Sequence, residues 1–304
     1  MPKDVNFLEY LNTHDERVIT VERDRLLANS RYEVIPLKGV VNHLAQCSSN
    51  HPVTVTCSPR MGLTHTLEVS RQLSSKGHQV VPHLAAKLVE GREHLVEIVE
   101  LIRAIGVDDV FIVGGDAATP VGPYRSAGEL LQALATLDHG LKNIGVGAYP
   151  EGHPHVADGA LLEALQDKQQ HATYMSTQLC FDPAAIDGWI NQVSKQGITL
   201  PLYIGVPGAV KIGKLIEIAL RVGVGDSLRY LKSQRSLAKT MLLNGAYLPD
   251  DLLQAASQLA LYSELPIKGL HIFTFNQMAQ TYRWQRDNLG ENASLADTCL
   301  ACSS

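Results

Sequence analysis

Residues 92–116 read REHLVEIVELIRAIGVDDVFIVGGD and join a helical pattern directly to a strand pattern. The helical part repeats an apolar residue along one face, at Leu95, Ile98, Val99, Ile102 and Ile105. Gly106 follows as a helix stop, because glycine accepts the left-handed conformation that ends many helices. The run DVFIVGG at 109–115 then reads as a short buried strand. This stretch is therefore one helix–strand unit of an α/β protein.

The same alternation extends along most of the chain. Short runs rich in β-branched residues predict strands at 32–36, 53–58, 78–84, 109–115, 144–149, 172–177, 200–206 and 269–275, and stretches of helical periodicity separate them. Alternating strands and helices predict parallel strands joined by right-handed crossovers. Eight such strands favour a closed (β/α)8 TIM barrel over an open sheet of six or seven strands.

The domain organisation follows from this count. We expect a helical lead-in at 1–30, one catalytic barrel at 31–285 and a polar tail at 286–304. The last crossover, at 207–268, is long enough for two or three helices. A chain of 304 residues suits a single barrel, since α/β barrels routinely use this much sequence as one domain.

Composition and charge exclude several classes of protein. The net charge of −5 gives no basic footprint for nucleic acid or an anionic membrane. The N-terminus lacks the apolar core of a signal peptide, and no run approaches the ~18 apolar residues of a membrane span, so we expect a soluble, cytoplasmic protein. Five cysteines are an odd count. Cys299 and Cys302 form a C-x-x-C without a second ligand pair, which favours two tail thiols over a zinc site.

Polar residues cluster where the predicted strands end. These are Glu33, Thr56, Cys57, His83, Asp116, Tyr149, Glu151, Thr177, Gln178, Thr274 and Asn276, together with the aromatic Phe275. The chemistry of a (β/α)8 barrel sits at the carboxyl ends of its strands, where the loops that follow them meet. The sequence therefore predicts a functional site at this rim.

Glu33 is the most informative of these residues. It stands in YEVIP with apolar neighbours on both sides, and strand alternation aims it opposite to Tyr32 and Val34. If those two face the helices, Glu33 points into the barrel mouth, where removal from water favours the protonated carboxyl of a general acid. The alternative is a buried structural ion pair with Arg31 or Lys38.

Asp116 ends the run VFIVGGDAATP. Its two preceding glycines fit neither G-x-x-x-x-G-K-[ST] nor G-x-G-x-x-G, so they do not predict a phosphate-binding loop. Asp116 either caps its own turn or places a carboxylate beside a cation or an electron-poor ring.

His83, His153 and His155 suggest a metal site with Asp116, but the segment at 149–155 also reads as a rigid surface turn, and we predict no metal. No motif supports a serine hydrolase or a zinc protease, and no predicted strand holds a Schiff-base lysine.

Seven short motifs in this order resemble the methylenetetrahydrofolate reductase family, over about residues 32–284. They are YEVIP (32–36), VTVT (53–56), PHL (82–84), GGD (114–116), GAYPEGHP (147–154), STQLCFD (176–182) and GLHIFTFN (269–276). GAYPEGHP is the most specific, being close to the family's Ala-Tyr-Pro-Glu-x-His-Pro.

The resemblance implies reduction of 5,10-methylenetetrahydrofolate to 5-methyltetrahydrofolate with NADH or NADPH, in one-carbon metabolism and methionine biosynthesis. Glu33 matches the glutamate that helps protonate the leaving nitrogen of the methylene bridge. Asp116 matches the aspartate that stabilises the resulting iminium, and Gln178 the glutamine that bonds the pterin. Tyr149, Phe275 and Asn276 complete the implied substrate-binding set.

The resemblance also bears on the cofactor. In flavin-dependent members, FAD is held by the positions that match Thr56, His83, Asp116, Tyr149 and Lys168. We include His153, of the GAYPEGHP motif, among the predicted cofactor-binding residues. This sequence has Gly114 where that pattern has arginine, and CSPRMG at 57–62 where it has a glycine-rich loop. The chain therefore lacks the forked arginine cation that would bind the phosphates of FAD. It also lacks the glycines that let the backbone approach the cofactor closely. The chain is more similar to short flavin-free members, which favours direct hydride transfer from the nicotinamide.

Three alternatives stay open. One is an FAD-dependent reductase. Another is a barrel lyase or methyl-transfer protein that binds folate without redox chemistry, and the third is a non-catalytic folate-binding or regulatory subunit. The sequence does not favour NADH over NADPH, because no ribose-reading acidic residue follows a Rossmann fingerprint. A homo-oligomer is compatible with it.

Overall fold

The computed structural model describes residues 16–44, 51–154, 156–215, 217 and 246–289. The strands of its main sheet are β1 (Arg31–Val34), β2 (Val53–Val55), β3 (Val80–Ala85), β4 (Asp109–Val113), β5 (Asn143–Ala148), β6 (Tyr174–Thr177), β7 (Leu202–Pro207) and β10 (Ile267–Phe273). Two short strands, β8 (Val210–Lys211) and β9 (Ala246–Tyr247), form a separate antiparallel pair. The eight predicted strands are thus confirmed.

The helices fill the crossovers as expected. They are α1 (Glu16–Ala28), α2 (Val40–Leu44), α3 (Gly62–Ser74), α4 (Arg92–Ala104), α5 (Ala127–Ala135), α6 (Asp158–Lys168), α7 (Pro183–Lys195), α8 (Asp250–Tyr262) and α9 (Met278–Asn288), with one 3-10 turn at Ala86–Leu88. The predicted N-cap of α7 is confirmed, since the Asp182 side chain accepts a hydrogen bond from the Ala184 amide at 2.9 Å. No helix in the described ranges is long and apolar enough to cross a membrane.

The main sheet closes on itself. Its strand order is β1-β10-β7-β6-β5-β4-β3-β2, and every neighbouring pair is parallel. The predicted (β/α)8 barrel is therefore confirmed. Tyr32 and Val34 are fully buried among core residues, while Glu33 between them retains some exposure. The alternation predicted for β1 is correct.

Several predicted strand boundaries differ from the structure by a few residues, and the clearest case has a local reason. The run predicted over 269–275 ends at Phe273, because Phe275 and Asn276 adopt positive φ values of 50° and 62° that no strand continues through. The strand predicted over 53–58 ends at Val55. Helix α9 runs to Asn288, past the predicted start of the polar tail. Cys47, His155, Cys299 and Cys302 lie outside the described residues.

Large rings fill the barrel interior opposite glycines. A Cβ atom on Gly145 would lie 2.3 Å from the Tyr174 ring and 2.5 Å from the Phe111 ring. A Cβ on Gly205 would lie 2.2 Å from the Thr177 carbonyl oxygen and 2.9 Å from the Phe273 ring. These strands approach the interior rings so closely that only glycine fits.

A charged cluster fills the amino-terminal end of the barrel. The Arg31 guanidinium lies 4.4 Å from the Tyr174 ring centre and 4.1 Å from that of Tyr203. Its Nη1 is 3.4 Å from Asp109 Oδ2, and the Tyr174 hydroxyl donates to Asp109 Oδ1 at 2.9 Å. We call these four residues the floor cluster. Arg31 is thus engaged with Asp109, one layer below Glu33.

Candidate active site

The carboxyl ends of the barrel strands bring the predicted residues to one rim. Glu33 lies on β1 and His83 on β3, while Asp116 follows β4, Tyr149 follows β5 and Gln178 follows β6. Phe275 and Asn276 follow β10, and Thr56 follows β2. Parallel strands in a closed barrel make this convergence unavoidable.

Glu33 is held at both its side chain and its main chain. Its Oε2 lies 3.0 Å from His271 Nε2 and 3.8 Å from His83 Nε2, and its side chain is 16% exposed. Its carbonyl oxygen accepts from the Thr274 hydroxyl at 2.6 Å and from the Thr274 amide at 3.2 Å. The described residues give Glu33 no ion pair with Arg31 or Lys38.

His83 is a neutral neighbour of that carboxyl group. Its ring stacks on Phe111 with centroids 4.8 Å apart, and burial lowers its pKa to about 4. The negative charge of Glu33 opposes that shift only in part. At neutral pH His83 is therefore uncharged, and its Nε2 lies 3.8 Å from the Glu33 carboxyl oxygen.

Asp116 and Tyr149 form a second polar region of the rim. Burial raises the pKa of Tyr149, and the negative charge of Asp116 adds to that rise, so the two side chains are close enough to interact. Asp116 itself is exposed, three residues past β4. The Tyr149 ring packs edge-on against His153 with centroids 5.2 Å apart. A carboxylate and an aromatic hydroxyl thus share one side of the mouth.

The glycine directly before Asp116 has a packing explanation. Gly115 has a φ of 87°, and a Cβ there would lie 3.0 Å from the Ala85 Cβ on β3. The Gly114 carbonyl accepts from the Lys87 amide at 3.1 Å. Gly115 therefore lets the loop after β4 pack closely on β3, whereas a Cβ on Gly114 would meet only the Ala127 amide nitrogen, at 4.0 Å.

Gln178 keeps half of its amide available. Its Oε1 accepts from the Leu179 amide at 2.9 Å, and its own backbone N–H donates to Ala148 O at 2.7 Å. Its side-chain nitrogen has no hydrogen-bond partner within the described residues. This arrangement fixes the side chain and leaves two N–H donors for a ligand.

Four of the predicted binding residues make contacts within the fold. Lys168 is buried, donates from Nζ to Gly147 O at 2.9 Å, and has a pKa lowered to about 8 by that burial. Phe275 is 7% exposed and stacks on Phe273. Asn276 uses both ends of its amide on the Ile35 main chain, each at 2.8 Å. The backbone N–H of Thr56 donates a hydrogen bond to the Val34 carbonyl oxygen at 3.0 Å.

Two cavities border this rim. The smaller, of about 120 Å³, lies between Tyr149, Lys168 and Trp189. The larger, of about 750 Å³, lies beside Asn276 and carries the basic side chains Lys211, Lys214 and Arg283. Across the described ranges, no group of three or more His, Cys, Asp or Glu side chains is arranged to hold a metal ion.

The sequence did not single out His271 or Thr274 as partners of Glu33. A signal existed for His271, because alternation in GLHIFTF sets it on the same face as Gly269 and Phe273, and a polar residue on an inward face is informative. No sequence pattern indicates that its ring reaches a carboxylate 238 residues earlier.

Comparison with known proteins adds a family match. A family model described as methylenetetrahydrofolate reductase matches residues 37–226, more than half of the chain. That span includes Asp116, Tyr149 and Gln178, whereas Glu33 and His271 lie outside it. Among solved structures, the chain is similar to tryptophan synthase from M. tuberculosis in its aminoacrylate-bound form, with 14% identity, coverage of 94% of this chain and 98% of that chain, and a TM-score of 0.45. An open form from the same organism gives 12% identity, coverage of 92% and 97%, and a TM-score of 0.44.

Proposed function

Since the chain belongs to the methylenetetrahydrofolate reductase family, we propose that it reduces 5,10-methylenetetrahydrofolate to 5-methyltetrahydrofolate, with the hydride passing directly from NADH or NADPH. The family makes the chain a folate-related oxidoreductase. The direct transfer, without bound flavin, is the further step that we propose.

The placement of Glu33 carries the proposal. It stands on the first strand near the barrel mouth, with Oε2 against His271 and Oε1 without a protein partner in the described residues. A carboxyl group with one fixed and one available oxygen is suited to general acid catalysis. A protein that only bound folate would have no use for such a group.

The reaction begins with proton transfer from Glu33 to the nitrogen that leaves the methylene bridge. The O–H bond breaks, an N–H bond forms, and the carbon–nitrogen bond opens with its electron pair on that nitrogen. The methylene group becomes an iminium cation on the other nitrogen. Its carbon then accepts a hydride from the nicotinamide, which is oxidised to the pyridinium form, and becomes the methyl group.

Asp116 and Gln178 serve the electrostatics and orientation of the pterin. An ionised Asp116 at the mouth lowers the energy of the cationic iminium through its charge. The side-chain nitrogen of Gln178 donates to acceptors on the pterin ring, and its position is set by its bond to the Leu179 amide. Tyr149, beside Asp116, lies on the same side of the barrel mouth.

The donor set fits FAD poorly, which supports the flavin-free route. His83 lies against Glu33 and Phe111, and the Lys168 ammonium bonds a backbone carbonyl. Gly114 provides no forked cation for the phosphates that a flavin dinucleotide carries. Two of the positions matched to flavin binding, those of Gly114 and Lys168, thus lack an available cation for it.

The basic cavity beside Asn276 supports a folate substrate. Every folate ends in glutamate carboxylates, and Lys211, Lys214 and Arg283 have no ion pair among the described residues. Cations left unpaired beside the mouth attract an acidic tail and raise its local concentration.

Isotope transfer from a nicotinamide carrying deuterium at its reactive carbon tests the proposal. The purified protein is mixed under anaerobic conditions with labelled NADH or NADPH and methylenetetrahydrofolate. Direct transfer gives a methyl product that retains the deuterium, and the protein shows no flavin absorbance. A flavin route gives a yellow protein and loses label to water, because the proton on a reduced flavin nitrogen exchanges. No oxidation of either nicotinamide would identify a non-redox folate protein instead.

A further inference from the structure

We propose that His271 is a positioning residue for Glu33: its Nε2–H donates to Oε2 of the carboxyl group, so that Oε1 is the atom that carries and delivers the proton. This inference rests on the proposed function for its catalytic meaning. The hydrogen bond itself can be tested without turnover.

The geometry favours one tautomer of His271. Its Nε2 lies 3.0 Å from Glu33 Oε2, and its side chain is 2% exposed. Its Nδ1 is buried without a hydrogen-bond partner in the described residues, where the ring lies near those of Phe273 and Phe111. A proton on Nδ1 would leave a buried donor unpaired, whereas a proton on Nε2 meets an acceptor at once.

The other groups around Glu33 do not replace this contact. His83 Nε2 is 3.8 Å away, beyond hydrogen-bond distance, and burial keeps that ring neutral at neutral pH. Arg31, on the same strand, is engaged with Asp109 between the Tyr174 and Tyr203 rings. Within the described ranges, His271 is therefore the one side chain that hydrogen-bonds the carboxyl group.

The consequence for proton transfer follows from charge. When the proton leaves Oε1, negative charge spreads over both oxygens of Glu33. A hydrogen bond to a charged acceptor is about twice as strong as one to a neutral acceptor. His271 thus stabilises the carboxylate as it forms and fixes the rotamer that presents Oε1 to the substrate.

The test compares His271→Leu with His271→Gln through the pH dependence of kcat. A general acid loses activity as pH rises and its proton is lost, so without the His271 donor the proton is held to higher pH. For His271→Leu we expect the alkaline limb of the plot of kcat against pH to move to higher pH by roughly one unit. We also expect maximal kcat to drop by about tenfold. The folate KM should stay nearly constant, since His271 does not contact substrate. His271→Gln, which retains an N–H donor, should restore the limb toward wild type.

The control is His171→Leu, in the turn between α6 and β6 at the opposite end of the barrel. It should leave the pH profile unchanged. A His271→Leu variant with lower activity but an unmoved alkaline limb would show a purely structural role and overturn the proposal.

Nitrogen NMR of the wild-type protein decides the question even if the leucine variant does not fold. We expect a proton on Nε2 of His271, and a changed Nε2 resonance in Glu33→Gln. A proton on Nδ1 alone would overturn the proposal. This readout is independent of folate reduction, so a protein with the predicted tautomer and no reductase activity would refute the proposed function and leave the Glu33–His271 hydrogen bond standing.

Discussion

Asn276 holds the main chain of Ile35 at both of its polar groups. The Asn276 Oδ1 accepts from the Ile35 amide at 2.8 Å, and Asn276 Nδ2 donates to the Ile35 carbonyl at 2.8 Å. This pair of bonds joins the end of the last barrel strand to the segment that follows the first, two residues after Glu33. Barrel closure and the position of the proposed acid are therefore linked through one side chain.

Removal of that link should destabilise the barrel and slow turnover together. In Asn276→Gly both hydrogen bonds are lost, while glycine still accepts the φ of 62°. We expect the free energy of unfolding to fall by about 1–3 kcal/mol, measured by urea denaturation. Asn276→Asp should be at least as damaging, because a carboxylate oxygen then faces the Ile35 carbonyl. An unchanged unfolding free energy in both variants would contradict this role.

Glu33→Gln should abolish most of the activity without loss of the fold. Gln retains an acceptor for His271 but has no acidic proton, so we expect kcat to fall by about 10²–10⁴-fold with a small change in folate KM. Stopped-flow or steady-state oxidation of the nicotinamide measures this. Glu68→Gln, on an exposed side chain of α3, is the matched control. Full turnover by Glu33→Gln would remove Glu33 from the mechanism.

Asp116→Asn should affect both catalysis and the titration of Tyr149. Loss of the negative charge should lower kcat/KM by about 10–10³-fold. It should also lower the pKa of Tyr149, because that charge adds to the rise that burial produces. Ultraviolet titration, with Tyr149→Phe subtracted to isolate this tyrosine, measures the second effect. A Tyr149 titration that does not move would mean that the two side chains do not interact.

Lys168 should give the protein a stability that rises at alkaline pH. Burial lowers its pKa to about 8, whereas an unfolded lysine titrates near its ordinary value of 10.5. Between those values the unfolded chain binds more protons than the folded one, so the unfolding free energy rises with pH in that window. The total effect is on the order of 3 kcal/mol. Lys168→Met should lack this slope, which denaturation at pH 7 and pH 10 will show. Parallel slopes in the two proteins would contradict it.

The sequence predicted the barrel because its signals were local and repeated. Alternation around Glu33 placed that residue on the inward face, and the strand ends placed Asp116, Tyr149 and Gln178 on one rim. The partners of Glu33 were not predictable in this way, because His271 and Thr274 meet it only once the last strand pairs with the first. The engagement of Lys168 with Gly147 and of Asn276 with Ile35 likewise depends on packing between distant segments. Residue type indicated where chemistry occurs, and closure of the barrel decided which polar atoms remain available.

The floor cluster has a kinetic consequence. Arg31, Asp109, Tyr174 and Tyr203 fill the interior at the amino-terminal end, opposite the rim that carries Glu33. The proposed direct transfer then requires folate and nicotinamide to meet at that rim at the same moment, both entering from the same end of the barrel. Such an enzyme works through a ternary complex, and its initial rates give intersecting rather than parallel double-reciprocal lines.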